Sequence, residues 1–230
     1  MNFLYLSIAV FCSSLQNVFK KRYNQKTENK GACTFSLMIL PAAMLFFLLI
    51  SGGKLTFVPG LLPYGICGGI CYAVANICTV LAILHGSLAL TTLMISYSNM
   101  LPALFGLIFL REPIKPTLIL GLVLLIISLF LTNMKKENHT VSLKWGIFTF
   151  LSFLCNGITV ITQKLQQDAF GGEYKSELMI SILLIAMILT IPAILLKERR
   201  ETALSIKQGW YLALLIGICN GILNFFVMIL

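Results

Sequence analysis

Hydrophobic residues form long runs along this chain, and polar residues are gathered into short stretches between them. Most runs are about 17–24 residues long, the length that an α-helix needs to cross the hydrocarbon core of a bilayer. Transmembrane strands would alternate apolar and polar residues, whereas LILGLVLLIISLFL does not alternate. The pattern predicts an all-α polytopic membrane helix bundle of eight segments, numbered 1 to 8 in chain order: 3–19, 33–50, 61–84, 88–110, 117–131, 145–161, 178–196 and 210–230.

Composition supports a membrane protein and excludes a soluble domain. The 230 residues are 58% hydrophobic and 11% charged, whereas soluble domains carry about 25% charged residues. The net charge of +9 comes from basic residues in the loops beside the segments, where they set topology and do not form a nucleic-acid surface. Most of them follow segments 1, 5 and 7, which favours an external N-terminus.

Two pairs of segments resemble each other in sequence. GICYAVAN at 69–76 returns as GICNGILN at 217–224, and SSLQNVFKKRYNQ at 13–25 aligns with CNGITVITQKLQQ at 155–167. Segment 1 therefore matches segment 6, with an offset of 142, and segment 3 matches segment 8, with an offset of 148. The aligned polar pairs are Ser14/Asn156, Asn17/Thr159, Lys21/Gln163, Tyr72/Asn220 and Asn76/Asn224.

These matches predict an internal duplication with a five-helix unit. An odd number of helices makes the second copy enter the membrane from the opposite side, which gives an inverted-topology repeat typical of transporters. The first repeat covers 1–133, and the second covers 144–230 with three of its five helices. By this logic the expected protein has ten helices, so the sequence is either a fragment or a shortened relative.

Segment 4 and its exit carry a family resemblance. GSLALTTLMISYSNMLPALFGLIFLREPIKP at 86–116 has a small-residue entry, the mid-helix Pro102 and a terminal Glu-Pro, and GLVLLIISLFL follows at 121–131. This stretch resembles the EamA family of the drug/metabolite transporter superfamily. The resemblance implies a central cavity and the import or export of small metabolites. It also implies an internal N-terminus, against the charge bias, so orientation stays open.

Polar residues inside the segments are the candidate substrate contacts. Pro102 removes a backbone donor and frees the carbonyl of Ser98, which makes it the candidate helix break for gating. A buried polar group lines a cavity or bonds to a neighbouring helix, and both readings apply here. The candidates are Ser14, Asn17, Tyr72, Asn76, Tyr97, Asn99, Asn156, Thr159, Asn220 and Asn224. Lys21 either meets an anionic group or lies among lipid headgroups.

The expected function is transport of an amino acid or a similar neutral or zwitterionic solute by alternating access in the cell membrane, as in a bacterial inner membrane. No Asp or Glu lies deep within a segment, which disfavours a proton-coupled exporter of lipophilic cations. The expected partners are the bilayer and a small-molecule substrate, and a homodimer or another chain that supplies the missing helices is the further alternative. No cofactor, metal or nucleic acid is expected. The alternatives are a non-transporting subunit or remnant and a lipid-modifying membrane enzyme. The enzyme would need a constellation of His or carboxylate residues that this sequence does not show.

Overall fold

A computed structural model describes residues 2–27, 31–53, 55–56, 58–111, 119–121, 123–124, 127, 142–198 and 202–229. The chain forms a helix bundle, and the described residues contain no strand. Its long helices are α1 (Asn2–Lys26), α2 (Ala32–Ile50), α3 (Leu62–His85), α4 (Leu88–Ser96), α5 (Met100–Ile108), α6 (Leu143–Ala169), α7 (Lys175–Lys197) and α8 (Thr202–Ile229).

The helices follow the predicted segments but extend beyond several of them. Segments 1 and 6 end in the sequence where polar residues begin, whereas α1 and α6 continue to Lys26 and Ala169. Backbone hydrogen bonding continues past the hydrocarbon length, because polar residues such as Gln and Lys are good helix formers in water. Segment 5 and the boundary between the predicted repeats lie mostly outside the described residues. Six helical stretches of the described chain are long and apolar enough to cross a membrane.

Segment 4 is not one continuous α-helix as predicted. A 3₁₀ turn at Tyr97–Asn99 separates α4 from α5, immediately before Pro102 in the first turn of α5. Proline has no N–H and its ring clashes with the preceding turn, so the chain tightens there. The break falls at the carbonyl that the sequence identified as released.

Contacts between helices fix their directions. We call the end of the bundle that contains Lys26, Gly31 and Glu198 the Glu198 end, and the opposite end, with Leu61 and Glu173, the Glu173 end. Helices α1, α3 and α7 run towards the Glu198 end, while α2, α6 and α8 run away from it. The contacts Gln16–Asn220 and Lys26–Tyr211 make α1 antiparallel to α8, and Thr79–Ser152 and Cys67–Thr162 make α3 antiparallel to α6. The contacts Gly209–Phe35 and Gly217–Ala42 make α2 parallel to α8, and Gly65–Ser181 and Gly69–Ile185 make α3 parallel to α7. Each of the pairs α1/α6, α2/α7 and α3/α8 is therefore antiparallel in the bundle.

The buried positions of corresponding helices repeat in a fixed register. In α2 and α7 the buried residues lie 143 positions apart, and in α3 and α8 they lie 148 apart. The matching buried pairs are Phe35/Leu178, Ile39/Ile182, Leu40/Leu183, Ala43/Ala186, Phe47/Thr190, Gly68/Ile216, Gly69/Gly217, Tyr72/Asn220 and Ala73/Gly221. Corresponding helices therefore present the same faces to the core.

Two glycines at equivalent positions bring helices into backbone contact. A Cβ on Gly69 of α3 would lie 2.7 Å from Ile185 Cβ and 3.0 Å from the Ile182 carbonyl oxygen of α7. A Cβ on Gly217 of α8 would meet Ala42 and lie 2.7 Å from the Ile39 carbonyl oxygen of α2. The neighbours also correspond, since Ile39 and Ile182 are 143 positions apart. These glycines are therefore packing positions, where two helices approach each other closely.

Candidate functional site

A hydrogen-bonded polar cluster joins α1, α3 and α8 near the middle of the bundle. The Tyr72 hydroxyl donates to Asn220 Oδ1 at 2.6 Å, and Asn220 Nδ2 donates to Gln16 Oε1 at 3.2 Å. Asn224 Nδ2 donates to the same Asn220 Oδ1 at 2.9 Å. Buried polar groups need such partners, so this cluster fixes where the three helices cross.

The two repeats contribute the same local arrangement to this cluster. Asn76 Nδ2 donates to the Tyr72 carbonyl at 3.1 Å, and Asn224 Nδ2 donates to the Asn220 carbonyl at 2.9 Å. Asn76 is half-buried, whereas Asn224 is buried. In both repeats the asparagine amide bonds one turn back along its own helix, so its position follows from the local helix geometry.

The inward face of α1 differs from the predicted one. Ser14 and Lys21 are exposed and Asn17 is half-buried, whereas Gln16 and Lys20 are each 6% exposed. Successive residues of an α-helix differ by about 100° around its axis, so a shift of one residue turns a different face inward. The buried positions of α1 match those of α6 at an offset of 143, not the predicted 142. Gln16 therefore corresponds to Thr159, and Lys20 corresponds to Gln163.

A second polar contact joins α3 to α6. The hydroxyls of Thr79 and Ser152 are 2.7 Å apart, and Asn156 Nδ2 donates to the Ser152 carbonyl at 2.9 Å and to Ser152 Oγ at 3.2 Å. Thr159 is buried, with its hydroxyl donated to the Cys155 carbonyl at 2.8 Å. Asn156 and Thr159 thus lie on α6, and among the described contacts neither has a hydrogen bond to Tyr72 or Asn220.

The remaining candidates lie at the break in segment 4. Tyr97 and Ser98 are buried in the 3₁₀ turn, which packs against α6, and Asn99 is exposed. Pro102 is buried as the third residue of α5, and Leu101 packs against Gly157 of α6. Of the predicted site residues, Tyr72, Asn220 and Asn224 therefore form one hydrogen-bonded group, while Asn156 and Thr159 lie on α6 and Tyr97 lies in the turn that packs against α6.

A comparison with known protein families finds a match, and it covers the first part of the chain. The profile of the EamA-like transporter family matches residues 2–134, more than half of the chain. The chain belongs to the EamA-like transporter family. No curated protein matches the chain at a meaningful level of similarity. Family membership and the six apolar helical stretches make this a multi-pass membrane protein of the drug/metabolite transporter type.

At the Glu198 end of this EamA-like bundle, a carboxylate closes the start of α2. The backbone N–H groups of Cys33 and Thr34 donate to the two Glu198 carboxylate oxygens at 2.9 Å and 2.8 Å. The Thr34 hydroxyl also donates to Glu198 Oε2 at 3.0 Å. First-turn N–H groups lack helical partners and attract negative charge. Glu198 follows α7, so it ties one repeat to the other.

The Glu173 end has an equivalent contact with the chemical roles exchanged. Glu177, in the first turn of α7, corresponds to Thr34 at the 143 offset, and it accepts a 3.3 Å hydrogen bond from the exposed Thr56 hydroxyl. A pocket of about 70 Å³ lies beside it, lined by Thr56, Val58, Leu61, Leu62, Glu177 and Ser181. The contact between α2 and the end of α7 thus has three short hydrogen bonds, whereas its equivalent at the Glu173 end has a single longer one. At the Glu173 end Lys175 Nζ also donates to the Met228 carbonyl of α8 at 2.6 Å.

Sequence reasoning missed Gln16, Lys20 and Glu198. For α1 a signal was present, because Cys12, Gln16, Lys20 and Asn24 recur every four residues and form one face of a helix. The opposite face carries exposed Val10, Phe11 and Val18, which suit lipid. For Glu198 no local signal exists, because its partners lie 164 and 165 positions away. Among the described residues no group of His, Cys, Asp and Glu forms a metal site.

Proposed function

We propose that this EamA-like protein carries an amino acid or a similar neutral or zwitterionic solute across the cell membrane by alternating access. The observation that carries the proposal is the hydrogen bond between Tyr72 and Asn220, which are equivalent residues of the two repeats. A contact between equivalent residues lies on the axis that relates the repeats. Transporters built from inverted repeats bind their substrates near such an axis, at the bilayer midplane.

Packing between the repeats supports a rocking motion. Gly69 and Gly217 make equivalent contacts with α7 and α2, so each repeat rests on the second helix of the other. Two conformations related by this axis, each open at one end of the bundle, would then have nearly equal packing energies. The two repeats exchange roles when the open end changes, with the Tyr72–Asn220 level as the fixed point.

The two end contacts differ in strength, and this difference favours the state that is closed at the Glu198 end. The Glu198 hydrogen bonds hold α2 to the end of α7, and they must break before that end opens. The Thr56–Glu177 contact has a single exposed hydrogen bond, so it opens at lower cost. Lys21, Arg22, Lys26 and Lys207 lie at the Glu198 end, whereas Lys164 and Lys175 lie at the Glu173 end. This excess of basic residues supports a cytoplasmic location for the Glu198 end.

Solute uptake into proteoliposomes tests this function. The purified protein is reconstituted, and entry of a mixture of labelled L-amino acids is followed against empty liposomes. Asn76→Leu and Asn99→Leu are expected to remove flux while the protein stays inserted, because each replaces a polar group at the proposed path. Gln25→Leu, an exposed amide at the Glu198 end, serves as the control and should retain flux. Unchanged flux in a folded Asn76→Leu, Asn99→Leu double variant would remove these residues from the site.

A further inference from the structure

The Lys20 side chain is largely buried and has no partner in the described structure, while its ammonium nitrogen keeps a small accessible surface. It is 6% exposed, and no described acceptor or carboxylate contacts its ammonium group. The described acidic residues Asp168, Glu173 and Glu177 lie at the opposite end of the bundle, and the Glu198 carboxylate is bonded to α2. Burying an unpaired charge is costly, so a lysine in this position is typical of a functional site.

Gln16 lies one turn from Lys20 on the same face of α1 and also has an unused donor. Its Oε1 accepts the hydrogen bond from Asn220, but its Nε2 is buried and has no hydrogen-bond partner. Residues four apart on a helix have Cβ atoms about 6 Å from each other. The face of α1 nearest to the Tyr72–Asn220 hydrogen bond therefore presents two donors, one of them charged, and neither has a hydrogen-bond partner among the described residues.

The neighbouring basic residues do not share this environment. Lys21 and Arg22 are exposed, and side chains of this kind at a helix end interact with water or lipid headgroups. Lys20 points between helices of the bundle instead, because Gln16 and Asn24 on the same face bond to α8 and α3. A lipid phosphate is thus a natural ligand for Lys21 and Arg22, but not for Lys20.

We propose that Lys20 and Gln16 bind a carboxylate group of the transported solute. Two unsatisfied donors require an acceptor, and an ammonium group requires a negative one, so an acid fits this face better than its amide. The inference rests on the proposed function for its location, and it narrows the substrate to solutes that carry a carboxylate. Tyr72, Asn220 and Asn224 then contact the rest of the molecule.

Ligand-dependent thermal stability of the purified protein tests the proposal without requiring transport. The probes are the common L-amino acids, each compared with its own α-carboxamide. A hydrogen bond to a charged group is worth about 1.5–3 kcal/mol, so at least one acid should bind about tenfold more tightly than its amide. Lys20→Met should remove this preference, Lys20→Arg should retain part of it, and Lys21→Met is the control that loses the same charge from the exposed neighbouring position.

Each outcome bears on the inference separately from the proposed function. Equal binding of acids and amides, binding by none of the acids, or equal effects of Lys20→Met and Lys21→Met would overturn it. A Lys20→Met protein that no longer folds would also overturn it, because the lysine would then have a structural counter-charge. Flux measured in parallel separates the two claims. A carboxylate preference without flux contradicts transport alone, whereas equal flux of acid and amide contradicts the carboxylate site alone.

Discussion

Tyr72 and Asn220, which occupy the same position in the two repeats, donate and accept one 2.6 Å hydrogen bond where α3 and α8 meet. Each repeat thus contributes a different side chain to the same point of the bundle. Because Tyr donates and Asn accepts, the duplication is no longer chemically symmetric there.

The Tyr72–Asn220 hydrogen bond should contribute measurably to stability. Hydrogen bonds between transmembrane helices contribute on average about 0.6 kcal/mol and at most about 1.7 kcal/mol. Tyr72→Phe, Asn220→Ala and the double variant form a cycle whose coupling energy should fall in this range, measured by reversible unfolding in mixed micelles. Tyr64→Phe, on the same helix, is the control. A coupling energy of zero would show that the two side chains do not depend on each other.

The equivalent glycines predict matched sensitivity to a single methyl group. Gly69→Ala and Gly217→Ala place a Cβ against the backbone carbonyls of Ile182 and Ile39, so each should lower the free energy of unfolding by about 1–3 kcal/mol. Gly146→Ala adds its methyl to open space in α6 and should be neutral or stabilising by up to about 1 kcal/mol. Similar results at all three positions would contradict the close crossings.

The unpaired state of Lys20 makes an unusual prediction for stability. Breaking a buried ion pair by removing one partner typically costs about 3–5 kcal/mol. Removing an unpartnered buried charge should instead leave the protein equally stable or more stable. Lys20→Met should therefore unfold at the same or a higher denaturant concentration than the wild type. A loss of several kcal/mol would identify a counter-charge for this lysine.

The Glu198 contact predicts a change in thiol accessibility at one end. Cys33 is buried and its N–H donates to Glu198, so a variant with Cys33 as its single cysteine reports opening there. Glu198→Gln weakens the cap at the start of α2 and should increase the rate of Cys33 modification by a polar maleimide. Glu177→Gln, at the opposite end, should leave the rate unchanged or lower it. Equal acceleration by both variants would indicate general loosening of the fold.

Much of the fold could be predicted because membrane helices are specified by length and hydrophobicity. The apolar runs located seven described helices or helix pairs, and the repeated GIC stretches identified the corresponding positions of α3 and α8. Family assignment followed from segment 4, and the match over residues 2–134 confirms it. Local sequence carries these features, because each helix must satisfy its own backbone in lipid.

The site was less predictable because it depends on helix rotation and on distant contacts. The predicted alignment of Ser14 with Asn156 is off by one residue. As a result the prediction turned Ser14 and Lys21 inward, whereas in the structure Gln16 and Lys20 are buried and Ser14 and Lys21 are exposed. In an apolar helix few residues constrain the register, so an alignment based on a few polar identities slips easily. The hydrogen bond between Tyr72 and Asn220 could not be predicted, because it depends on how the two repeats pack against each other. Similarity between the repeats in sequence carries no information on that packing.

Alternating access is tested most directly by locking the Glu198 end. Thr34→Cys and Glu198→Cys, in a cysteine-free background, place two thiols across the contact between α2 and the end of α7. A short reducible bis-thiol cross-linker applied to proteoliposomes should stop solute flux, and reduction should restore it. The control pair Lys26→Cys with Thr34→Cys lies at the same end within one repeat and should remain active. Undiminished flux through fully cross-linked Thr34/Glu198 protein would contradict the account, because this end would not need to open.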